Sequence, residues 1–133
     1  MKNALIIGGG IAGTVSAMAL QRAGIDSIVY EAYPENAALD TGAFLTVAIN
    51  GFDALRSIDA HKGVAELGFP SERIVFTSGS GKSLGSVPIG GQLADGTVTV
   101  TIKRADLYRT FRDEAMARDI RFEYGSRLAD AHP

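Results

Sequence analysis

Three consecutive glycines, Gly8, Gly9 and Gly10, follow a short apolar segment near the start of the chain, in the stretch ALIIGGGIAG. Glycine packs no side chain in a strand and loses more conformational entropy on folding than any other residue. A run of glycines at the end of a strand therefore indicates a place where the backbone turns tightly or approaches another group closely. This run constrains the possible folds more than any other feature of the chain.

The residues on both sides of the glycines predict a βαβ unit. Residues 4–7 form a wholly apolar run, which is typical of a strand buried on both faces of a parallel sheet. Residues 11–23 carry apolar side chains at helical spacing, and Gly24 is well placed to end that helix in a left-handed conformation. Residues 27–30 (SIVY) predict a second strand, which ends at Glu31. The crossover between the two strands is expected to be right-handed.

The rest of the chain predicts an antiparallel insertion followed by a return to the parallel sheet. A helix is expected from Asn50, which would cap it, through Ile58, with His61 as a surface or capping residue after it. Turn-forming residues, among them Asp95-Gly96, separate the later segments and favour hairpins. We expect strands at residues 44–47, 73–77, 84–89 and 97–102, a helix at 105–118 and a third parallel strand at 120–124.

The glycines form the pattern G-x-G-x-x-G, which is typical of dinucleotide-binding folds. Gly8 permits the tight turn, Gly10 lets a pyrophosphate approach the backbone, and Gly13 lets the helix pack closely on the strand. Backbone N–H groups around Ile11 and Ala12, at the start of the helix, would then face the phosphate oxygens. The free energy of ligand binding thus offsets the cost of the glycines.

Glu31 lies at the end of the second strand, about twenty residues after the glycines, where this pattern places an acidic residue. Its carboxylate would accept hydrogen bonds from ribose hydroxyls and would repel a 2′-phosphate. The pattern therefore predicts FAD or NAD as the bound nucleotide and disfavours NADP. It does not choose between FAD and NAD.

Composition argues against several other functions. The chain has 13 basic and 15 acidic residues, a net charge of −2, and no basic block, so we expect no nucleic-acid partner. It has no cysteine and only two histidines, so we expect no thiolate nucleophile and no metal site. Beyond the glycine-interrupted N-terminal stretch, no segment approaches the roughly 20 apolar residues that span a bilayer, so we expect no membrane partner. No catalytic residue is assignable, and the cytoplasm is the default location.

Three further segments carry a resemblance to a known family. Residues 42–46 (GAFLT), 50–55 (NGFDAL) and 103–107 (KRADL), together with the glycine pattern and Glu31, resemble the single-component FAD-dependent aromatic hydroxylases, the p-hydroxybenzoate hydroxylase group. The resemblance spans essentially the whole chain, and its most specific part is the RADL segment. It implies that Arg104 lies beside bound FAD.

The chain departs from the family pattern at two positions. The family often has a basic residue directly after the ribose-binding acid, whereas this chain has Ala32, which we still include in the predicted cofactor site. Asp119 occupies a helix end where the family usually has glycine, although aspartate tolerates the left-handed conformation better than most residues.

The resemblance implies a fold class and a domain organisation. The expected class is α/β, with a Rossmann-like βαβ FAD-binding parallel sheet and an inserted antiparallel β-hairpin region. Residues 1–133 would be the N-terminal portion of an FAD-binding domain. The nucleotide-binding elements would lie at 1–41 and 103–125, and the inserted helix and antiparallel strands at 42–102.

The resemblance also implies an activity. In the family, NAD(P)H reduces the flavin, and the reduced flavin then activates O₂ to hydroxylate an aromatic or polyketide-like substrate. The chain would be the N-terminal FAD-binding region of such a monooxygenase, inactive by itself, with the missing C-terminal portion of the enzyme as its partner.

Two alternatives remain open at this stage. In the first, the chain would be a non-catalytic or split fragment that binds FAD only with a separate C-terminal part. In the second, it would be an NAD-dependent oxidoreductase domain. The long excursion between Glu31 and the third parallel strand disfavours the second alternative, because a plain dinucleotide fold crosses over with one short helix.

Overall fold

The computed structural model describes residues 3–35, 37 and 42–130. Two compact units divide the chain, Met1–Gly42 with Arg104–Pro133 as the first and Ala43–Lys103 as the second. The elements in chain order are β1 (Asn3–Ile7), α1 (Ile11–Arg22), β2 (Asp26–Tyr30), β3 (Phe44–Val47), α2 (Ile49–Arg56), α3 (Lys62–Leu67), β4 (Phe69–Pro70), β5 (Arg73–Thr77), β6 (Ser83–Pro88), β7 (Val100–Lys103), α4 (Arg104–Ala117) and β8 (Arg121–Glu123).

The first unit is built on a parallel sheet with the strand order β1-β2-β8. Leu5 on β1 lies opposite Ile28 on β2, and Val29 lies opposite Phe122 on β8. Helix α1 packs against both β1 and β2 and against α4. The predicted α/β class with a βαβ parallel sheet is confirmed, and the third parallel strand lies next to β2.

The core of the first unit lies between α1, α4 and the sheet. Met18, Val29 and Phe111 are each at most 2% exposed. The prediction that the first strand is buried on both faces is wrong, because Leu5 is 69% and Ile7 54% exposed. Successive side chains of a strand point to opposite faces, and among the described residues only the helical face is covered.

Left-handed residues end both long helices of this unit. Gly24 follows α1 with a φ of +74°, as predicted, and its N–H donates to the Gln21 carbonyl oxygen at 2.9 Å. Asp119 follows α4 with a φ of +61°, in the conformation that glycine adopts most easily. The Asp119 N–H donates to the Met116 carbonyl oxygen at 3.0 Å. The chain thus makes this turn with aspartate in place of glycine.

The second unit is antiparallel, as predicted for the inserted region. Strand β7 pairs with β3 on one side and with β4 on the other, and β5 pairs with β6 as a hairpin. The strand predicted at 97–102 is shorter and later, Val100–Lys103. A single bridge joins Gln92 to Val98 around the Asp95-Gly96 turn. The residues after that turn leave the hairpin because β7 pairs with β3 instead.

The helical segment of this unit differs from the prediction in two respects. Helix α2 begins at Ile49 and ends at Arg56, so Asn50 is inside the helix, where its Oδ1 accepts from the Gly51 N–H at 2.9 Å. His61 directly precedes α3, a helix that the sequence reasoning did not predict. Helix α3 has only six residues, too few to show a helical period, and it is held by the fully buried Val64.

Candidate functional site

The glycine turn lies where β1 meets α1, and two of its glycines have no acceptable replacement. Gly8 has a φ of +102°, and its N–H donates to the Tyr30 carbonyl oxygen at 2.8 Å. A Cβ added to Gly13 would lie 1.9 Å from the Gly8 carbonyl oxygen. The helix therefore touches the turn backbone to backbone, as the sequence predicts for the third glycine of the pattern.

The start of α1 presents backbone N–H groups without intrahelical acceptors. The first helical hydrogen bond runs from the Thr14 N–H to the Gly10 carbonyl oxygen at 3.0 Å, so the N–H groups of Ile11, Ala12 and Gly13 precede it. The helix start has no side-chain cap and no acidic residue in its first turn. A Cβ added to Gly10 would meet no atom within 4 Å. The open space beside these donors suits an anion.

Glu31 binds the glycine turn directly. Its Oε2 accepts from the Gly9 N–H at 2.7 Å, and its Oε1 accepts from the Tyr33 N–H at 2.9 Å. The Glu31 backbone is held in turn by Glu123 and Ser126, at 2.9 and 2.8 Å. Each carboxylate oxygen can accept two hydrogen bonds and accepts one of these, so each retains one acceptor position. The carboxylate is thus oriented by the protein and still able to accept from a ligand.

Arg104 is the first residue of α4 and lies against a glycine that leaves room for it. Gly42 has a φ of +123°, and a Cβ added there would lie 3.2 Å from the Arg104 Cβ and 3.3 Å from its Cδ. A larger residue at position 42 would therefore be strained and would displace the Arg104 side chain. The GAFLT and KRADL segments, far apart in the chain, meet at this contact.

The first unit contains a cleft of about 320 Å³ beside the glycine turn. The structure brings together three of the predicted site residues, Gly10, Glu31 and Arg104, in its lining. The other predicted residues are not part of the described lining: Gly8, Ile11, Ala12, Gly13 and Ala32. Small-molecule pockets measure roughly 300–1,000 Å³, so this cleft has room for part of a dinucleotide. The described residues lining it are Gly10, Glu31, Tyr33, Pro34, Ala37, Arg104 and Tyr108.

Sequence reasoning missed several residues of this site. Gly9 and Tyr33 hold the Glu31 carboxylate through their backbone N–H groups, which no side-chain pattern reveals. Pro34 and Ala37 belong to the irregular segment after β2. Tyr108 carried a partial signal, because it lies in the helix predicted at 105–118 and four residues after Arg104. The two residues share a face because α4 begins at Arg104 itself.

Three polar side chains form a cluster beside the cleft: Tyr108, Arg112 and Tyr124. The Arg112 Nε and Nη2 donate to Asp113 Oδ1 at 3.1 and 2.9 Å, but Arg112 Nη1 and the Tyr124 hydroxyl are buried without a hydrogen-bond partner among the described residues. Burial is the main cause that raises the pKa of Tyr124 to about 12, and Tyr108 adds to the rise while Arg112 opposes it. Tyr124 is therefore a neutral phenol at physiological pH.

We expect Tyr124→Phe to raise the free energy of unfolding by about 1 kcal/mol, because it removes a buried hydroxyl that has no partner and keeps the ring. Urea denaturation measures the change. Tyr124→Leu is the matched control. It also loses the stacking of this ring on Phe122, whose centroid lies 5.8 Å away, and it should destabilise the chain. A loss of stability in the phenylalanine variant would show that the hydroxyl has a partner.

Comparison with known proteins places the chain in a family. The model of the FAD binding domain family matches residues 1–132. The chain belongs to this family.

The relatives and the structural neighbours of this FAD binding domain are much longer proteins. The chain is 31% identical over 109 residues to 3-hydroxybenzoate 6-hydroxylase 1 of Aquipseudomonas alcaligenes, an alignment that covers 80% of the chain and 27% of that relative. HpxO of Klebsiella pneumoniae, solved with FAD and uric acid, is 28% identical, with a TM-score of 0.72 over 91% of this chain and 30% of its own. The tetrameric form of 2-methyl-3-hydroxypyridine-5-carboxylic acid oxygenase has the same fold, with a TM-score of 0.83 at 22% identity over 99% of this chain and 33% of its own. The chain thus spans about a third or less of each.

The residues present fit the nucleotide part of FAD. The cleft contains an oriented acceptor at Glu31 and a guanidinium at Arg104, and Gly10 in its lining directly precedes the N–H groups at the helix start that have no intrahelical acceptor. These groups match phosphate and ribose oxygens. Among residues 3–35, 37 and 42–130, no group of three or more His, Cys, Asp or Glu side chains is placed to hold a metal ion. None of the helices in the same ranges has the length and apolarity needed to cross a bilayer.

Proposed function

We propose that this chain is the N-terminal FAD-binding region of a flavin-dependent monooxygenase that hydroxylates an aromatic or polyketide-like substrate. One observation carries the proposal: Gly10, Glu31 and Arg104 line a single cleft at the carboxyl end of the parallel sheet, in a chain of the FAD binding domain family. Ligands of open parallel sheets bind at this end. The nucleotide-binding elements would be residues 1–41 and 103–125, and the insertion residues 42–102.

Each site residue has a proposed role toward the cofactor. The N–H groups of Ile11 and Ala12 would donate to the pyrophosphate, which approaches over Gly10 because no Cβ stands there. Gly8 and Gly13 would shape the turn that aims these donors. These assignments follow from the free N–H groups and the open space at the start of α1.

Glu31 and Arg104 would hold the parts of the cofactor on either side of the pyrophosphate. The remaining acceptor positions of the Glu31 carboxylate would accept hydrogen bonds from the ribose hydroxyls, with Ala32 beside it. Arg104 would lie toward the flavin. The hydrogen bonds from Gly9 and Tyr33 keep the Glu31 carboxylate in place before any ligand binds, which lowers the entropic cost of binding.

The chemistry of the proposed reaction belongs to the cofactor. Bound FAD supplies electron transfer from NAD(P)H and activation of O₂. The chain binds and orients the adenosine diphosphate part, and no residue in it is proposed as catalytic. The names of its relatives, a 3-hydroxybenzoate hydroxylase and a protein solved with uric acid, support a small aromatic or heterocyclic substrate. We place the enzyme in the cytoplasm, where NAD(P)H is available.

The proposed partner is a C-terminal portion of the same enzyme. Leu5 and Ile7 expose an apolar sheet face, and Leu128 beside them is 53% exposed. An uncovered apolar face of this kind is uncommon on a domain that has no partner domain or subunit. The greater length of the relatives supports a further segment that covers it. The split-fragment alternative differs only in supplying this segment as a separate polypeptide.

FAD titration of the purified chain tests the proposal. We expect FAD to bind and its fluorescence to be quenched, with tighter binding when the C-terminal portion is present. NADH is the matched control ligand, because the oxidoreductase alternative predicts that NADH binds in preference to FAD. Binding of FAD only in the presence of a separately supplied C-terminal polypeptide would favour the split-fragment alternative. No FAD binding under either condition would overturn the proposal.

A further inference from the structure

Tyr108 lies in the wall of the cleft, one helical turn after Arg104 on α4. Both residues line the cleft together with Gly10 and Glu31. Tyr108 is only 9% exposed, so its ring is packed in the interior and its position is well defined. A rigid aromatic side chain that borders a ligand cleft presents its hydroxyl at low entropic cost.

Several polar groups in and behind this wall have no hydrogen-bond partner among the described residues. The Tyr108 hydroxyl makes no hydrogen bond with a described residue. Arg112 Nη1 and the Tyr124 hydroxyl, in the cluster behind it, have no partner either. Most buried polar side-chain atoms in proteins are hydrogen-bonded, so polar groups that have no partner among the described residues, in and behind the wall of a cleft, favour a bound ligand as their partner.

The Tyr108 hydroxyl is a neutral donor at physiological pH. Burial raises its pKa, and the Glu31 and Glu35 carboxylates add to the rise, whereas Arg112 lowers it. A phenol that stays protonated donates one hydrogen bond and accepts others. It therefore complements Glu31, whose ionised carboxylate is an acceptor only.

We propose that Tyr108 is a further nucleotide-binding residue, whose hydroxyl donates a hydrogen bond to a ribose hydroxyl of the adenosine diphosphate part of FAD. A ribose hydroxyl both donates and accepts, so one that donates to Glu31 still accepts from Tyr108. The two side chains thus form an acceptor and a donor in the wall of one cleft. The inference rests on the proposed function.

Tyr108→Phe tests the inference, since it removes the hydroxyl and keeps the ring. We expect the variant of the full chain to bind both FAD and ADP about 5- to 10-fold more weakly in calorimetric titrations, the loss of one hydrogen bond. The matched control is Tyr30→Phe, whose side chain lies outside the cleft beside Leu5 and Ile7 and which should change both affinities less than twofold. Both variants should keep the unfolding temperature of the wild-type chain.

Deoxy analogues of ADP locate the contact. The penalty of Tyr108→Phe should disappear with 2′-deoxy-ADP or with 3′-deoxy-ADP, whichever lacks the hydroxyl that Tyr108 contacts. A penalty that is equal for ADP and both analogues would overturn the ribose contact. Unchanged affinity of Tyr108→Phe, with normal FAD binding by the wild type, would overturn the inference alone. A wild-type chain that binds neither FAD nor ADP, both alone and with the C-terminal portion supplied, would overturn both the inference and the proposed function.

Discussion

Gly13→Ala should lower the free energy of unfolding by at least about 3 kcal/mol and abolish FAD binding. The added Cβ would lie 1.9 Å from the Gly8 carbonyl oxygen and 3.2 Å from the Ile6 Cγ2. The closest of these contacts is with backbone, so no rotation of a side chain relieves it, and α1 must move away from β1. Urea denaturation followed by circular dichroism measures the loss of stability, and FAD fluorescence measures the loss of binding.

Gly10→Ala is the matched control, because the same atom is added three residues earlier in the same turn. Its Cβ meets nothing within 4 Å, and the Gly10 φ of −70° suits alanine. We expect a stability change below about 1 kcal/mol, with FAD affinity at least about 10-fold weaker because the methyl group occupies the approach of the pyrophosphate. Wild-type stability of Gly13→Ala would contradict the close packing, and wild-type affinity of Gly10→Ala would contradict the pyrophosphate site.

Glu31→Arg should weaken FAD binding at least about 100-fold, because it removes the two hydrogen bonds that the ribose hydroxyls would donate to the Glu31 carboxylate. Each hydrogen bond to a charged group contributes about 1.5–3 kcal/mol. The carboxylate accepts from the Gly9 and Tyr33 N–H groups and, in the proposal, from the ribose. The substitution thus disorders the glycine turn and removes the ribose acceptor together. Fluorescence titration with FAD measures the affinity, and circular dichroism checks the fold.

Glu35→Arg is the control for charge, since it makes the same change on an exposed side chain of the following segment. Its FAD affinity should stay within about threefold of the wild type, because exposed charges contribute little. Glu31→Gln should fall between the two, since the amide keeps one acceptor oxygen and replaces the other with a donor. Equal effects at positions 31 and 35 would contradict a specific role for Glu31.

The βαβ unit could be predicted because its signals are local. The apolar run of β1, the three glycines and the helical spacing of α1 act within a few residues of one another, and Gly24 ends the helix by its own backbone preference. The position of Glu31 follows from the lengths of the turn, the helix and the second strand. Local steric and hydrogen-bonding rules therefore sufficed for this half of the site.

The insertion was harder to predict because its pairing is not local. Strand β7 pairs with β3, which is much further from it in the chain than the hairpin partner that the Asp95-Gly96 turn favours. Helix α3 is too short to show a period, and Asn50 resembles a cap although the helix begins before it. Tertiary packing decides between local alternatives of similar energy, and a single chain carries no local signal of that decision.

The amino-acid order alone determined the glycine turn, the helix that follows it and the carboxylate at the end of the second strand, because each depends on neighbours along the chain. Only the tertiary structure decided that Arg104 and Tyr108 join Glu31 around one cleft. It also decided that Gly9 and Tyr33 orient that carboxylate. Contacts between distant segments depend on how β8 and α4 pack beside β2. That packing results from the burial of many side chains together, and no single segment encodes it.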